Sequence, residues 1–262
     1  MCLIALAWRA LPGIRLIVAA NRDEYHARPT APAAFWTDTP SVLGGRDLQD
    51  GGTWMGVTRN GRFAALTNHR TPNGTRSNAR SRGHLVAGFL RGPATAAAYC
   101  ASVAADTGQY NGFNLLAGDA DELWYVGNHA AVAEVLPCGI HTLSNARLNT
   151  PWPKAVGLAA ALQESAKTAA GEDAMVGALM DALRDTTVPQ DASLPETGVG
   201  LMRERMLAPR MIVAPLYGTR SGSVLIVRED GSLRLDEHSF DSAGETIGIV
   251  SQSLGASFRD TG

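Results

Sequence analysis

The second residue of the chain is a cysteine, and only Met1 precedes it. Removal of that methionine, which a small second side chain permits, would leave a thiol and a free α-amine on one residue. An N-terminal amine has a reference pKa of about 7.7–8.0, so it accepts a proton near neutrality where a lysine, at about 10.4, does not. Nucleophile and base would then arrive together at Cys2. The alternative is structural, since a free cysteine that starts a strand is ordinarily a small buried hydrophobe. The residues that fold beside Cys2 decide between the two.

The polar run Asn21-Arg22-Asp23-Glu24 follows directly on an apolar stretch. Residues 2–8 and 14–20 read as two strands joined at Leu11-Pro12-Gly13, where Pro and Gly favour a turn. Pairing them returns the end of the second strand to the start of the first, which brings Asn21, Arg22 and Asp23 beside Cys2. Asp23 is then placed to hold the α-amine, and Arg22 to stabilise a thiolate. Asn68 ends the apolar stretch 63–67, and Asn145 ends 140–144. A carboxamide at a strand end can donate to a developing oxyanion where water is excluded, or bond its own backbone as a turn residue. Between His69 and Arg82 stand Arg70, Arg76, Arg80 and Arg82 without an acidic residue. Such a segment either grips phosphates or propionates bidentately or is a solvated loop. His69, His84 and Cys2 are candidate ligands for a haem iron.

The elements that must position these groups alternate between hairpins and paired helices. Strands are expected at 53–58 and 63–68 around Asn60-Gly61, a strong hairpin signal, and at 113–117, 122–126, 131–136, 140–145, 210–214, 222–228 and 231–236. Helices are expected at 81–91, 94–106, 153–169 and 172–185 from apolar spacing, with Pro93 suiting a first turn. Residues 27–41 and 186–199 read as loops. Hairpins in runs, interrupted by helix pairs, predict α+β layers with antiparallel sheets. Neither a repeat nor a long linker divides the chain, so residues 1–262 read as one domain.

Composition narrows the function. The 23 Lys plus Arg against 25 Asp plus Glu leave a net charge of −2, so no general affinity for nucleic acid or an anionic membrane is expected. Residues 3–20 are interrupted by Arg9, Pro12, Gly13 and Arg15, which argues against a signal peptide and stable membrane insertion. Three cysteines with no metal-type spacing argue against a disulfide framework or a metal site and point to the cytoplasm. Dinucleotide-binding, P-loop, zincin and nucleophile-elbow motifs are all missing.

Taken together, Met1-Cys2-Leu3-Ile4, Asn21-Arg22-Asp23-Glu24, Gly44-Gly45-Arg46-Asp47, Gly52-Thr53-Trp54-Met55-Gly56, Leu66-Thr67-Asn68-His69-Arg70, Leu143-Ser144-Asn145 with Thr150-Pro151-Trp152-Pro153-Lys154, and Tyr217-Gly218-Thr219-Arg220-Ser221 resemble the NRDE-motif family, also called the transport and Golgi organisation family. That family resembles N-terminal-nucleophile hydrolases. The resemblance implies a four-layer αββα sandwich and likeness to cysteine acylases that open penicillin V or bile-salt amides. On it, Cys2 corresponds to their nucleophile, Asp23 to their aspartate after the first hairpin, and Asn68 and Asn145 to their two strand-end asparagines. The acylases carry an arginine three residues before the aspartate, where this chain has Ala20. Arg22 lies two residues further along an extended strand and so keeps the same face, while Arg220 is the candidate for their late arginine. The implied activity is hydrolysis of an amide or thioester of a small acyl compound, with no cofactor required. The alternative implied by the family is a carrier that binds acyl-coenzyme A or haem without chemistry.

Overall fold

The computed structural model describes residues 2–70, 76–129 and 132–256. The first hairpin, β1 (Cys2–Leu11) and β2 (Ile14–Tyr25), is longer than its apolar stretches, so the polar run at 21–24 lies on a strand rather than beyond one. Two more strands, β3 (Thr30–Trp36) and β4 (Thr39–Asp47), occupy most of the segment expected to be a loop. Pro32 disguises β3 in the sequence. It is tolerated because β3 is an edge strand, where a missing N–H breaks no ladder.

The expected hairpin follows as β5 (Met55–Thr58) and β6 (Phe63–Asn68), then α1 (Gly83–Arg91) and α2 (Ala96–Ala105). The α1 helix buries Leu85, Val86, Phe89 and Leu90 on one stripe. The Thr95 hydroxyl caps α2 by accepting from the Ala98 N–H at 3.2 Å. Next come β7 (Phe113–Gly118), β8 (Leu123–Gly127), the two-residue β9 (Glu134–Val135) and β10 (Gly139–Leu143). The strand expected at 131–136 thus shrinks to β9, with residue 131 outside the described residues. Helices α3 (Pro153–Thr168) and α4 (Glu172–Leu183) lie where helical spacing placed them.

The last third departs most from expectation. A short helix, α5 (Leu201–Leu207), follows the Pro-containing loop, and residues 210–214 are irregular rather than a strand. There the Met211 N–H donates to the Asp185 carbonyl at 2.9 Å and the Ile212 N–H to the Thr219 hydroxyl at 2.9 Å. Side-chain and loop acceptors replace a ladder. β11 (Tyr217–Arg228), β12 (Leu233–Phe240) and an unanticipated β13 (Thr246–Leu254) complete the described residues.

The strands form two antiparallel sheets, one of six in the order β10-β1-β2-β11-β12-β13 and one of seven running β3 to β9 in sequence order. Strand alternation sorts the core into layers. Ile4, Leu6, Trp8, Leu16 and Val18 point between the sheets, towards Phe63, Leu116 and Tyr125. Leu3, Ala5, Ile17 and Ala19 point the other way, onto Leu158 and Leu162 of α3 and Leu179 and Leu183 of α4. Leu66, Leu115 and Ala117 meet Leu85 and Phe89 of α1 on the outer face of the second sheet. The result is an α+β sandwich of αββα layers. Among the described residues no helix is long and apolar enough to cross a membrane.

Leu116 is fully buried between the sheets. Its replacement by alanine removes inter-sheet contacts and should cost about 2–5 kcal/mol, read in urea unfolding as a lower midpoint with an unchanged slope.

Candidate active site

The register of β1 against β2 sets Cys2 directly opposite Arg22. Both face the second sheet, while Asn21 and Asp23, on the alternate positions, face the helices. Cys2 borders a cavity of about 450 Å³ whose walls include Arg22, Glu24, Arg28, Asn68 and Arg82. Cys2 is 8% exposed, and burial pushes the pKa of its thiol up. The positive charge of the chain's α-amine opposes that rise most, the Asp23 carboxylate adds to it, and the nearby Arg22 guanidinium and a hydrogen bond to the sulfur from the Asp23 N–H oppose it further.

Arg22 is 6% exposed and stacks on the Trp54 ring, 4.3 Å from its centroid. Its Nη1 is buried without a hydrogen-bond partner among the described residues. Trp54 is held in turn by Gly45, because a Cβ there would stand 2.1 Å from the indole. Asp23 accepts from the Thr219 hydroxyl at 2.7 Å. Burial pushes the Asp23 carboxyl up, and the main opposing influence is the ammonium of Lys154. Lys154 is itself buried and donates to the Leu207 carbonyl at 2.9 Å.

The two asparagines come together but play different parts. Asn68 lines the cavity, whereas Asn145 donates from Nδ2 to the Asn68 carbonyl at 2.8 Å. The Ser144 hydroxyl donates to the Cys2 carbonyl at 3.2 Å, and the Thr67 hydroxyl donates to the Ser144 carbonyl. These bonds join the end of β6 in one sheet to the start of β1 in the other.

The arginine-rich segment is not a uniform positive patch. Arg70 leaves the cavity to pair with Glu204 of α5 at 2.6 Å, both side chains being buried. Arg76 donates to the Gly108 and Tyr110 carbonyls at 2.8 Å, and Arg82 to the Gly112 carbonyl at 3.0 Å. Arg80 stands 3.7 Å from Asp106. Arg76, Arg80 and Arg82 nevertheless border the cavity. Residues 71–75 lie outside the described residues.

Other expected contributors sit elsewhere. Asn21 donates to the Leu183 and Arg210 carbonyls at 2.8 and 2.7 Å, tying β2 to the end of α4. Arg220 donates to the carbonyls of Tyr25, His26 and Arg28. His69 stacks on His129 with ring centroids 3.6 Å apart, and His84 meets the Asp50 carbonyl at 2.7 Å. Neither histidine borders the cavity, and its walls offer charged groups rather than an apolar slot for a macrocycle. The site therefore does not fit haem.

Sequence reading missed Trp54 and Lys154 as parts of the site. Lys154 carried a signal: it is the second residue of α3, where the helix dipole disfavours a cation. A buried cation there calls for an anion, and Asp23 supplies it.

A family model described as Transport and Golgi organisation 2 matches residues 1–242. The homologue named Transport and Golgi organization protein 2 from Bos taurus is 36% identical over 261 residues, covering 91% of this chain and 93% of its own length. The Homo sapiens homologue is 35% identical with the same coverage. Among solved structures, the Caenorhabditis elegans N-acylethanolamine-hydrolyzing acid amidase ortholog has a TM-score of 0.49 at 13% identity, over 85% of this chain and 92% of that one. A mutant conjugated bile acid hydrolase from Clostridium perfringens has a TM-score of 0.47 at 12% identity, over 96% and 92% respectively.

Two outcomes follow from the buried charges. Arg70→Met strands Glu204 without its cation and should cost about 3–5 kcal/mol in chemical unfolding. Burial, and then His129, pull the His69 pKa down from 6.5 to about 4. The unfolded chain therefore holds more protons in that interval, and stability should fall as the pH drops through it. His69→Gln should flatten that part of the stability–pH curve.

Proposed function

The chain belongs to the Transport and Golgi organisation 2 family, and on that premise we propose that it is an N-terminal-cysteine hydrolase of an amide or thioester bond in a small acyl compound. The observation that carries this reading is the placement of Cys2 in one polar cavity with Arg22 and Asn68, with Asp23 adjacent on β2.

With Met1 cleaved, the Cys2 α-amine takes the thiol proton as Sγ bonds to the substrate's carbonyl carbon. Arg22 supports the thiolate against the cost of burial, and Asp23 holds the amine. The Asn68 carboxamide donates to the oxyanion. Asn145 acts through Asn68, by fixing its backbone. The tetrahedral intermediate collapses with loss of the amine or thiol, which leaves with the proton carried by the α-amine. Water then attacks the thioester on Cys2, releases the acid and restores the thiol. The raised thiol pKa makes that proton acceptor necessary near neutrality.

A second reading, binding of an acyl-coenzyme A without turnover, is favoured by the arginines that border the cavity together with the buried, protonated thiol. It needs the cavity but not the sulfur.

One experiment separates the two. Intact mass spectrometry should find the chain without Met1, and Cys2→Ala should abolish turnover of acyl amides and thioesters. Hydrolysis that persists undiminished in Cys2→Ala rejects the enzymatic reading. Calorimetric binding of an acyl-coenzyme A by both proteins, with turnover by neither, supports the carrier.

A further inference from the structure

The row of the six-stranded sheet that begins at Cys2 continues well past the thiol. Cα pairing carries it to Arg22 on β2, Ser221 on β11, Ser239 on β12 and Gly248 on β13. Paired positions share a face, and neighbouring strands lie about 4.8 Å apart. This row looks towards the second sheet, as do Leu225, Leu235 and Val250, which keep the same alternation on their strands. Beyond Arg22 the side chains dwindle to two hydroxymethyl groups and a hydrogen.

Over those small residues lies a second cavity, of about 400 Å³, bounded by Pro32, Trp54 and Val250. Trp54 borders both cavities. Two strand spacings separate Cys2 from Ser221, so the second space opens about 10 Å from the thiol. Between the two stands the Arg22–Trp54 stack, with the unpartnered Arg22 Nη1.

The two spaces differ in chemistry. The first is walled by Arg22, Glu24, Arg28, Asp47 and Arg82. In the second, the Glu237 carboxylate is already engaged by the Ala33 N–H at 2.7 Å and the Ser223 hydroxyl at 3.2 Å. Arg220 also lines it, with its Nη1 donating to the carbonyls of Tyr25, His26 and Arg28, and the rest of the wall is the indole, the proline ring, Phe240, Ile247, Ile249, Val250 and the floor of small residues. Its outer wall, β13, lies beyond residue 242, where the family model stops.

We propose that the second cavity receives the hydrocarbon tail of an acyl substrate whose carbonyl lies at Cys2. Arg22 and Trp54 divide the polar end from the tail, and Gly248 sets how long a tail fits. The assignment rests on the acyl-transfer reading above.

The test uses p-nitrophenyl acetate, octanoate and hexadecanoate as probes, with Cys138→Ser as the parent because Cys138 is exposed. Sγ of Cys2 bonds to the acyl carbon, the C–O bond breaks, p-nitrophenolate leaves, and the thiol proton passes to the Cys2 α-amine and from there to buffer. Phenolate release gives the rate, and peptide mapping locates the adduct on Cys2. The parent should react faster with octanoate than with acetate and lose that gain with hexadecanoate. Gly248→Leu is sterically mild at its base, since a Cβ there meets only the Ser239 Cβ at 3.9 Å. It should lower the octanoate-to-acetate rate ratio about tenfold, as should Ser239→Leu. A flat chain-length profile in the parent, or an unchanged ratio in both variants, overturns the tail site while leaving acyl transfer standing. No adduct on Cys2 from any ester overturns the acyl-transfer reading itself.

Discussion

The antiparallel register between β1 and β2 is the constraint on which the rest depends. It is held by apolar burial on both faces, with Ile4, Leu6 and Val18 turned to the second sheet and Leu3, Ala5 and Ile17 turned to the helices. A slip of one residue would send each set to the wrong layer, so the hydrophobic pattern fixes the pairing strongly. Cys2 opposite Arg22 is a consequence of that pairing. So is the division of the polar run at 21–24, in which Arg22, Asp23 and Glu24 border the thiol cavity while Asn21 locks the sheet to the helical layer.

Burying so much charge requires partners on every side. Asp23 has Thr219 and the field of Lys154, Glu204 has Arg70, and Glu237 has the Ala33 N–H and the Ser223 hydroxyl. Removing either member of such a pair leaves an uncompensated charge away from water, which costs more than the pair contributes when intact. Arg22 differs from these: it is buried against an aromatic face, and among the described residues its Nη1 has no hydrogen-bond partner. On the proposed function, that donor beside the thiol is the one left for a substrate. That contrast separates it from Arg70, whose guanidinium is committed to α5.

The legible parts of the fold were those with a strong local signal. Asn60-Gly61 announced the β5–β6 hairpin, and apolar spacing announced α1 to α4, because each pattern reports a face that has to be buried. β3 was hidden by Pro32, and β13 is a largely exposed edge strand whose inward face is only half-buried at Val250 and Leu254, while Ile247 and Ile249 stand exposed and blur the alternation. Residues 210–214 are apolar enough to suggest a strand, yet their backbone donors go to Asp185 and Thr219. The helix α5 is short, and much of its anchoring is the Glu204 ion pair with a residue 134 positions away.

By itself the sequence determined which chemistry could occur: a cysteine at position 2, a polar run one hairpin away, two strand-end asparagines, and an order of motifs that marks a family. It also determined the alternation that builds αββα layers, since periodicity is a local property. Only the tertiary structure decided which arginines remain available. Arg70, Arg76, Arg80 and Arg82 look alike in an acid-free segment, but their partners, Glu204, the carbonyls at 108–112 and Asp106, are brought to them by the fold. The separation of Asn68 at the cavity from Asn145 behind it, and the row from Cys2 to Gly248, arise in the same way. Charge pairing and strand order join residues distant along the chain, and no local pattern carries the identity of a distant partner.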